Sequence, residues 1–159
     1  MRRFLSTLLV ALPLAAAACL GEDPVAPALP IEEVEFASSL GVDLAASTES
    51  ATGLWYRDQV VGEGAQPVSG DQVWVSYNGR FTNGQSFDSG EFPFLLNRFQ
   101  VIAGFDEGVS TMRVGGQRQL IIPPRLGYGA QWDVRGVIPP NSWLVFDVTL
   151  DSIQTPTVE

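Results

Sequence analysis

The sequence predicts an α+β domain in which an antiparallel β-sheet packs against one short α-helix. Two observations support this prediction. From Gly53 onward, short segments of alternating residue type are separated by glycine-containing turns, as in strands joined by hairpins. One stretch, 101–112, has the apolar spacing of an amphipathic helix. Several strands with one covering helix indicate a sheet that buries one face against that helix.

The first strands are predicted from residue type and from period-2 alternation. The segment "GLWYRDQVVGEG" (53–64) combines β-branched and aromatic residues and is closed by glycines. In "DQVWVSYNG" (71–79), Val73, Val75 and Tyr77 fall on one face of an alternating pattern. Both segments therefore have the character of strands in a half-buried sheet.

The later strands follow a predicted turn at Asn83-Gly84. The segment "EFPFLL" (91–96) is a short strand in which Pro93 suits an edge or a bulge, because it has no backbone N–H. The segments "RQLIIP" (118–123) and "SWLVFDVTLDSI" (142–153) alternate again. Four residues of the last segment share one apolar face: Leu144, Phe146, Val148 and Leu150.

The helix is predicted within "VIAGFDEGVSTM" (101–112). Asp106 and Glu107 lie near its start, where the positive end of the helix dipole stabilises carboxylates. Gly115-Gly116 is expected to end it. Its apolar stripe falls at positions i, i+3, i+7 and i+10: Ile102, Phe105, Val109 and Met112.

The composition excludes several classes of protein. The chain has 159 residues with 9 Lys+Arg, all arginine, and 18 Asp+Glu, for a formal net charge of −9. An acidic surface repels phosphate backbones, so no nucleic-acid partner is expected. The absence of histidine excludes Ser–His and Cys–His nucleophile pairs and histidine metal sites, and neither a metal nor a cofactor is expected. A single cysteine excludes an intrachain disulfide.

The N-terminal residues predict export rather than a folded element. Two arginines precede a mostly apolar run, 4–18, which is shorter than the about 20 residues of a transmembrane helix. This arrangement matches a secretory signal peptide. Within the extension that precedes the folded domain we expect a short packed segment and low order around Ala45–Thr52. The expected segments are a signal peptide at 1–18, a proline-rich tether at 19–30, an N-terminal extension at 31–51, the folded domain at 52–155 and a tail at 156–159.

The only cysteine, Cys19, follows four alanines at the place of a small-residue cleavage site. The segment resembles a bacterial lipoprotein box, in which the cysteine is acylated and becomes the mature N-terminus, although Ala16 replaces the usual leucine. The alternative is ordinary cleavage that leaves Cys19 as a free thiol or removes it. Lipidation implies an anchor at the periplasmic face of a membrane. Leu20, in place of an aspartate, favours the outer over the inner membrane.

Three stretches of the chain carry a resemblance to a known family. They are "VSYNGRFTNGQSFDS", "FPFLLNRFQVIAGFDEGVSTMRVGGQRQLIIPPRLGYG" and "GVIPPNSWLVFDVTL", and the similarity spans roughly Thr52 to Gln154. The spaced combination of a strand tyrosine, Phe-Asp, Val-Ile, Tyr-Gly and Ile-Pro-Pro is highly specific. The chain is similar to the FKBP-type peptidyl-prolyl cis–trans isomerases. The resemblance implies a curved sheet of five or six antiparallel strands around a short helix, with an apolar pocket that holds a proline ring.

The resemblance also implies the residues of that pocket. The backbone N–H of Ile102 and the hydroxyl of Tyr128 would donate hydrogen bonds to the carbonyls that flank the proline. Asp88 and Phe146 complete the expected catalytic set. The expected substrate-binding residues are Tyr77, Phe87, Phe92, Val101, Phe105, Val137 and Ile138.

Two features depart from the family pattern, and the residues alone leave other interpretations open. Phe105 stands where the family has tryptophan, which gives a smaller floor without an indole N–H. The loop "GAQWDVRGVIPP" is one residue longer than common versions and carries Trp132. Core packing is the alternative for the apolar pocket positions, and Asp88 alternatively caps the turn by bonding nearby backbone N–H groups. Four arginines are expected to be solvated or paired with acids: Arg57, Arg113, Arg118 and Arg125.

The expected function is X–Pro isomerisation that helps exported proteins to fold. The reaction breaks no covalent bond, so Asp88 can act as a hydrogen-bond acceptor and a source of field rather than as an acid or base. The partners would be proline-containing peptides, unfolded exported proteins and a membrane through the lipid anchor, and the chain is expected to be a monomer. The alternatives are a non-catalytic proline-segment binding module or chaperone lipoprotein, and a purely structural lipoprotein domain.

Overall fold

Six β-strands form one curved antiparallel sheet in the computed structural model, which describes residues 28–155. The elements are β1 (Thr48–Glu49), β2 (Trp55–Val60), β3 (Gln72–Phe81), β4 (Ser86–Leu95), α1 (Ala103–Ser110), β5 (Gln117–Ile122) and β6 (Leu144–Gln154). Their spatial order is β1-β2-β5-β6-β3-β4, and every neighbouring pair is antiparallel. The predicted α+β class, with a sheet of five to six strands and one short helix, is confirmed.

The predicted hairpin joins β3 to β4. Gly84 has φ +88°, a left-handed conformation that side chains disfavour, which explains glycine after Asn83. In the hairpin register, Val73 pairs with Phe94 and Gly79 pairs with Asp88. Because β4 is an edge strand that pairs only with β3 among the described strands, its proline costs the sheet no ladder bond to a further strand.

The helix is shorter than the sequence predicts. It begins at Ala103 and ends at Ser110, and Gly115-Gly116 lies in the turn before β5 rather than at its end. The guanidinium of Arg118 explains the early end, because its Nη1 donates to the Gly108 carbonyl at 2.8 Å and to Thr111 Oγ1 at 2.6 Å. A helix carbonyl that lacks a partner in the next turn is thereby satisfied.

The central strands β5 and β6 are buried on both faces. The predicted apolar face of β6 packs toward the helix, but Ile121 and Val145, on the opposite face, are also almost fully buried. The N-terminal extension lies near that second face: Leu40 is buried, and its carbonyl accepts a hydrogen bond from Gln119 Nε2 at 2.8 Å. The backbone N–H of Ala37 reaches the hairpin turn, donating to the Thr82 carbonyl at 2.8 Å.

The expectation of low order around Ala45–Thr52 is wrong. A 3₁₀ turn covers Leu44–Ala46, and Asp43 caps it by accepting the Ala46 N–H. Strand β1 follows and pairs with β2. The carbonyl of Thr52 accepts a hydrogen bond of 2.6 Å from Arg125. The stretch is thus ordered by a local cap, by strand pairing and by a long-range hydrogen bond, although most of its side chains are exposed.

The predicted signal peptide, Cys19, most of the tether and the 156–159 tail lie outside the described residues. Within residues 28–155, no helix is long and apolar enough to cross a membrane.

Candidate active site

An apolar cavity of about 240 Å³ opens between the helix and the strands β3, β4 and β6. Nine of the eleven sequence-predicted site residues line it, and Gln100 joins them. The lining residues are Tyr77, Phe87, Asp88, Phe92, Gln100, Val101, Ile102, Phe105, Tyr128 and Phe146. The structure therefore brings together side chains from five separate parts of the sequence.

Aromatic rings in mutual contact form the floor and walls. The ring of Phe105, at the start of α1, meets Phe146 edge-on at 5.3 Å between centroids. The ring of Tyr77 meets Phe92 at 5.3 Å, and Phe87 meets Phe146 at 5.5 Å, both edge-on. Edge-to-face contacts hold aromatic rings in defined orientations. The rings that line the cavity therefore support one another's orientation.

Gly79 allows two of these rings to approach the sheet. A Cβ at this position would lie 2.7 Å from Phe146 Cε1 and 2.7 Å from Phe87 Cζ, closer than real Cβ contacts. Any larger residue would force the two rings out of their present positions. The glycine is required here by packing, and its place within β3 also coincides with a shift in the strand register.

Asp88 lies at the rim of the cavity with its side chain 38% exposed. Its carboxylate lies close enough to the hydroxyl of Tyr77 to raise the pKa of that hydroxyl, and its Oδ2 lies 3.4 Å from Nη1 of Arg135. These partners are side chains, which favours the pocket role of Asp88 over that of a turn cap. The carboxylate is thereby fixed at the mouth of an otherwise apolar cavity.

Both tyrosines of the site hold their protons more strongly than a free tyrosine does. Burial raises the pKa of Tyr77, and the neighbouring Asp88 carboxylate raises it further. Burial also raises the pKa of Tyr128, while the charge of Arg135 partly opposes this effect. At neutral pH both hydroxyls are protonated and can donate hydrogen bonds.

The loop beside the cavity is organised by Asp133, which is almost fully buried. Its Oδ1 accepts the backbone N–H groups of Val137 at 2.6 Å and Ile138 at 2.7 Å, and its Oδ2 lies 3.3 Å from Nε of Arg135. The Ile138 N–H is the largest of several hydrogen bonds that lower the pKa of Asp133. The hydrogen bond that Arg135 donates to Asp133 raises the pKa of Arg135.

Two predicted binding residues do not line the cavity. Val137 is 42% exposed at the surface of the loop, and Ile138 is fully buried in the core, where Asp133 holds its backbone. Sequence reasoning also missed Gln100 and Arg135. Arg135 could have been inferred from its position two residues after Asp133, because a side chain at this separation can bond back across a turn.

Elsewhere among residues 28–155, the depressions in the surface have more polar walls than this cavity. A depression of about 340 Å³ lies over β3 and β6, where Ser76, Asn78 and Asp147 contribute polar groups to its wall. Among residues 28–155, no three His, Cys, Asp or Glu side chains come together in an arrangement that could hold a metal ion.

Comparisons with known proteins agree with this geometry. Residues 63–151 match the family model described as FKBP-type peptidyl-prolyl cis-trans isomerase. FK506-binding protein 4 of Dictyostelium discoideum is 48% identical over 104 residues, which are 64% of this chain and 28% of the relative. The chain thus spans about a quarter of the length of such curated relatives.

Two solved structures share the fold. AtFKBP13 has a TM-score of 0.65 and 34% identity, over 68% of this chain and 98% of that one. FkpA from Escherichia coli has a TM-score of 0.62 and 38% identity, over 69% of this chain and 52% of that one. With its family match, its six-stranded sheet and its aromatic cavity, the chain belongs to the family of FKBP-type peptidyl-prolyl cis–trans isomerases.

Proposed function

We propose that the chain is an exported, lipid-anchored isomerase that acts as a monomer on X–Pro bonds in unfolded exported proteins. The observation that most strongly supports the isomerase activity is the solvent-open cavity that gathers nine of the predicted site residues. An aromatic cup of this size suits a proline ring, and one carboxylate and one protonated tyrosine stand at its edge.

The cavity lowers the barrier because it is apolar. The barrier to rotation, about 18–20 kcal/mol, comes from amide resonance, which places charge on the carbonyl oxygen and on nitrogen. The twisted amide has less charge separation than the planar amide and therefore loses less on leaving water. Each ~1.4 kcal/mol gained in this way accelerates the reaction tenfold.

Three sets of groups position the substrate while the amide rotates: aromatic rings, hydrogen-bond donors and a carboxylate. The rings of Phe105 and Phe146 grip the proline. The hydroxyl of Tyr128 and the backbone N–H of Ile102, which stands at the N-cap of α1, donate to the flanking carbonyls. Asp88 orients Tyr77 and places a negative field near the rotating carbonyl. Because no group exchanges a proton with the substrate, a solitary carboxylate is sufficient.

A proline-limited refolding assay on the chain tests the enzyme. We expect Asp88→Ala and Phe146→Ala to slow catalysed refolding about tenfold or more, and Asp151→Ala, at the exposed far end of β6, to leave it unchanged. Circular dichroism checks that each variant is folded. Equal rates for the wild type and both site variants would rule out catalysis by this cavity.

The alternative is a binding module or chaperone that holds proline segments without turnover. It is favoured by Phe105, which gives a smaller aromatic floor, without an indole N–H, than the tryptophan of the family. A module of this kind would bind a proline peptide, with the cavity residues protected, yet leave the refolding rate unchanged. A purely structural lipoprotein domain would show neither effect.

Lipidation is a separate part of the proposal and concerns Cys19, outside the described residues. It is supported by the apolar run and four alanines before this cysteine. Labelling with a radioactive fatty acid and fractionation of the membranes provide the test. We expect Cys19→Ser to lose the label and to leave the membrane fraction, and we expect the wild type in the outer membrane. An unchanged distribution of Cys19→Ser would exclude the anchor.

A further inference from the structure

Four exposed apolar side chains lie in the two segments that flank the cavity. They form what we call the apolar rim: Phe99, Trp132, Val134 and Val137. The side chain of Phe99 is 98% exposed, Trp132 is 58% exposed, and Val134 is fully exposed. Large apolar side chains that are this exposed bury little apolar area and so add little to the stability of the fold. Patches of such side chains often mark interaction surfaces.

The rim is continuous with the cavity on two sides. Phe99 immediately precedes Gln100, Val101 and Ile102, three consecutive lining residues. The other three rim residues follow Tyr128, another lining residue, in a loop that Arg135 joins to Asp88. Asp133 holds the base of this loop by accepting two backbone N–H groups. Trp132, Val134 and Val137 are therefore presented on an anchored loop rather than on a free one.

The backbone of Phe99 adds an independent observation. Its φ is +56°, in the left-handed region that bulky residues rarely occupy. A strained conformation that presents an aromatic ring to solvent has no stabilising role in the free chain, and strain of this kind concentrates at binding sites. Asparagine, the non-glycine residue best suited to this region, could occupy the position more easily.

The size of the cavity indicates what the rim contacts. At about 240 Å³ it is smaller than the ~300–1,000 Å³ of pockets that enclose whole small ligands. It can enclose the proline and part of a neighbouring residue, but not a longer segment of a peptide. An extended chain advances about 3.3–3.6 Å per residue, so residues two or three positions from the proline must cross the mouth of the cavity.

We propose that the apolar rim binds apolar side chains of an unfolded polypeptide on either side of the proline in the cavity. This rests on the proposed function and deepens it: the preferred substrate is a long, apolar, unfolded segment rather than a short peptide.

The test compares two substrates and one binding probe on the chain. The variant Phe99→Asn/Trp132→Ser removes the two rim rings, and Val61→Ser/Val68→Ser removes two exposed valines that do not line the cavity. We expect the rim variant to lose about five- to tenfold in kcat/KM on a refolding protein and to stay within about twofold on a Leu-Pro tetrapeptide. The control should match the wild type on both.

Binding of reduced, carboxymethylated α-lactalbumin provides a readout that does not need turnover. We expect the rim variant to bind it about five- to tenfold more weakly than the wild type and the control. A wild type inactive on both substrates would exclude the proposed function, while rim-dependent binding would still support this proposal. The proposal would be overturned if the rim variant lost kcat/KM equally on the refolding protein and on the tetrapeptide. It would also be overturned if the rim variant lost neither refolding activity nor α-lactalbumin binding. Rim-dependent binding to phosphatidylglycerol vesicles, or rim-dependent dimers in sedimentation, with unchanged α-lactalbumin binding would also overturn it.

Discussion

Arg135 Nη1 lies 3.4 Å from Oδ2 of Asp88, although the two residues are 47 positions apart in the sequence. This contact joins the loop beside the cavity to the carboxylate at its rim. The side chain of Arg135 is 48% exposed, so the pair is an accessible ion pair of modest strength. Asp88 therefore has two partners with different roles: Tyr77 inside the cavity and Arg135 outside it.

The first prediction concerns the coupling between these residues. We expect Asp88→Asn to lower kcat/KM about tenfold, because it weakens the bond to Tyr77 and removes the negative field. Arg135→Gln alone should lower it about two- to fivefold, in keeping with an exposed ion pair. If Arg135 acts through Asp88, Arg135→Gln should have almost no further effect in the Asp88→Asn background. Kinetics of the four proteins measure this cycle.

The control for this cycle is Arg113→Gln, which removes one exposed arginine bonded to the Gly64 carbonyl. Arg113→Gln and Arg135→Gln each remove one positive charge, but only Arg135 contacts Asp88. Arg113→Gln should therefore change kcat/KM by less than Arg135→Gln does. Additive effects of the Asp88 and Arg135 changes would show that the two side chains act independently.

The pair also shows where sequence reasoning reaches its limit. Strand residues such as Val73, Val75 and Phe146 were predictable because burial of one sheet face imposes a period of two on the sequence. The loop of Arg135 has no such period, and its geometry depends on Asp133, whose hydrogen bonds are a tertiary feature. Val137 and Ile138 were misplaced for the same reason.

A second prediction concerns pH. The Tyr128 hydroxyl must be protonated to donate, and its pKa is raised above the usual value of about 10, chiefly by burial. The protonated form therefore predominates at neutral pH and is lost as the pH rises through this raised pKa. We expect kcat/KM to be constant from about pH 6 to pH 9.5 and then to fall. Tyr128→Phe should lower it about two- to tenfold and weaken the alkaline decline.

Circular dichroism across the same pH range separates loss of the donor from alkaline unfolding. A decline of wild-type activity centred near pH 8 would contradict protonated Tyr128 as the donor. So would an unchanged rate for Tyr128→Phe.

A third prediction concerns the floor of the cavity. Phe105 is almost fully buried and contacts the rings of Tyr77, Phe92, Phe94 and Phe146. Phe105→Trp adds apolar area to a cavity that has room for it, so we expect KM to fall about threefold while the fold is retained. Phe105→Leu, which removes the ring, should raise KM. A higher KM for the tryptophan variant would show that the floor is already filled.

The extension shows a second limit of the sequence. Its apolar residues have no regular spacing, so their partners could not be assigned. In the structure Ile31 and Leu40 are buried, and Gln119 uses its side-chain amide to hold Leu40 and Asp147. Gln119, a glutamine in the middle of an apolar strand segment, is the sequence feature that indicates a contact of this kind, because buried amides need hydrogen-bond partners.

The last prediction concerns stability away from the cavity, at the buried guanidinium of Arg118. It bonds Asp58 through Nε at 2.7 Å and Nη2 at 2.9 Å and lies 4.5 Å above the ring of Tyr56. Asp58→Ala leaves this charge without its carboxylate. Because Asp58 is 34% exposed, we expect a loss of ~2 kcal/mol in the free energy of unfolding, below the about 3–5 kcal/mol typical of fully buried pairs. Urea titration measures it. Asp151→Ala, which removes an exposed carboxylate bonded to Ser76, should cost less than about 0.5 kcal/mol. Equal losses for the two variants would mean that Arg118 finds sufficient compensation in Gly108 and Thr111 alone.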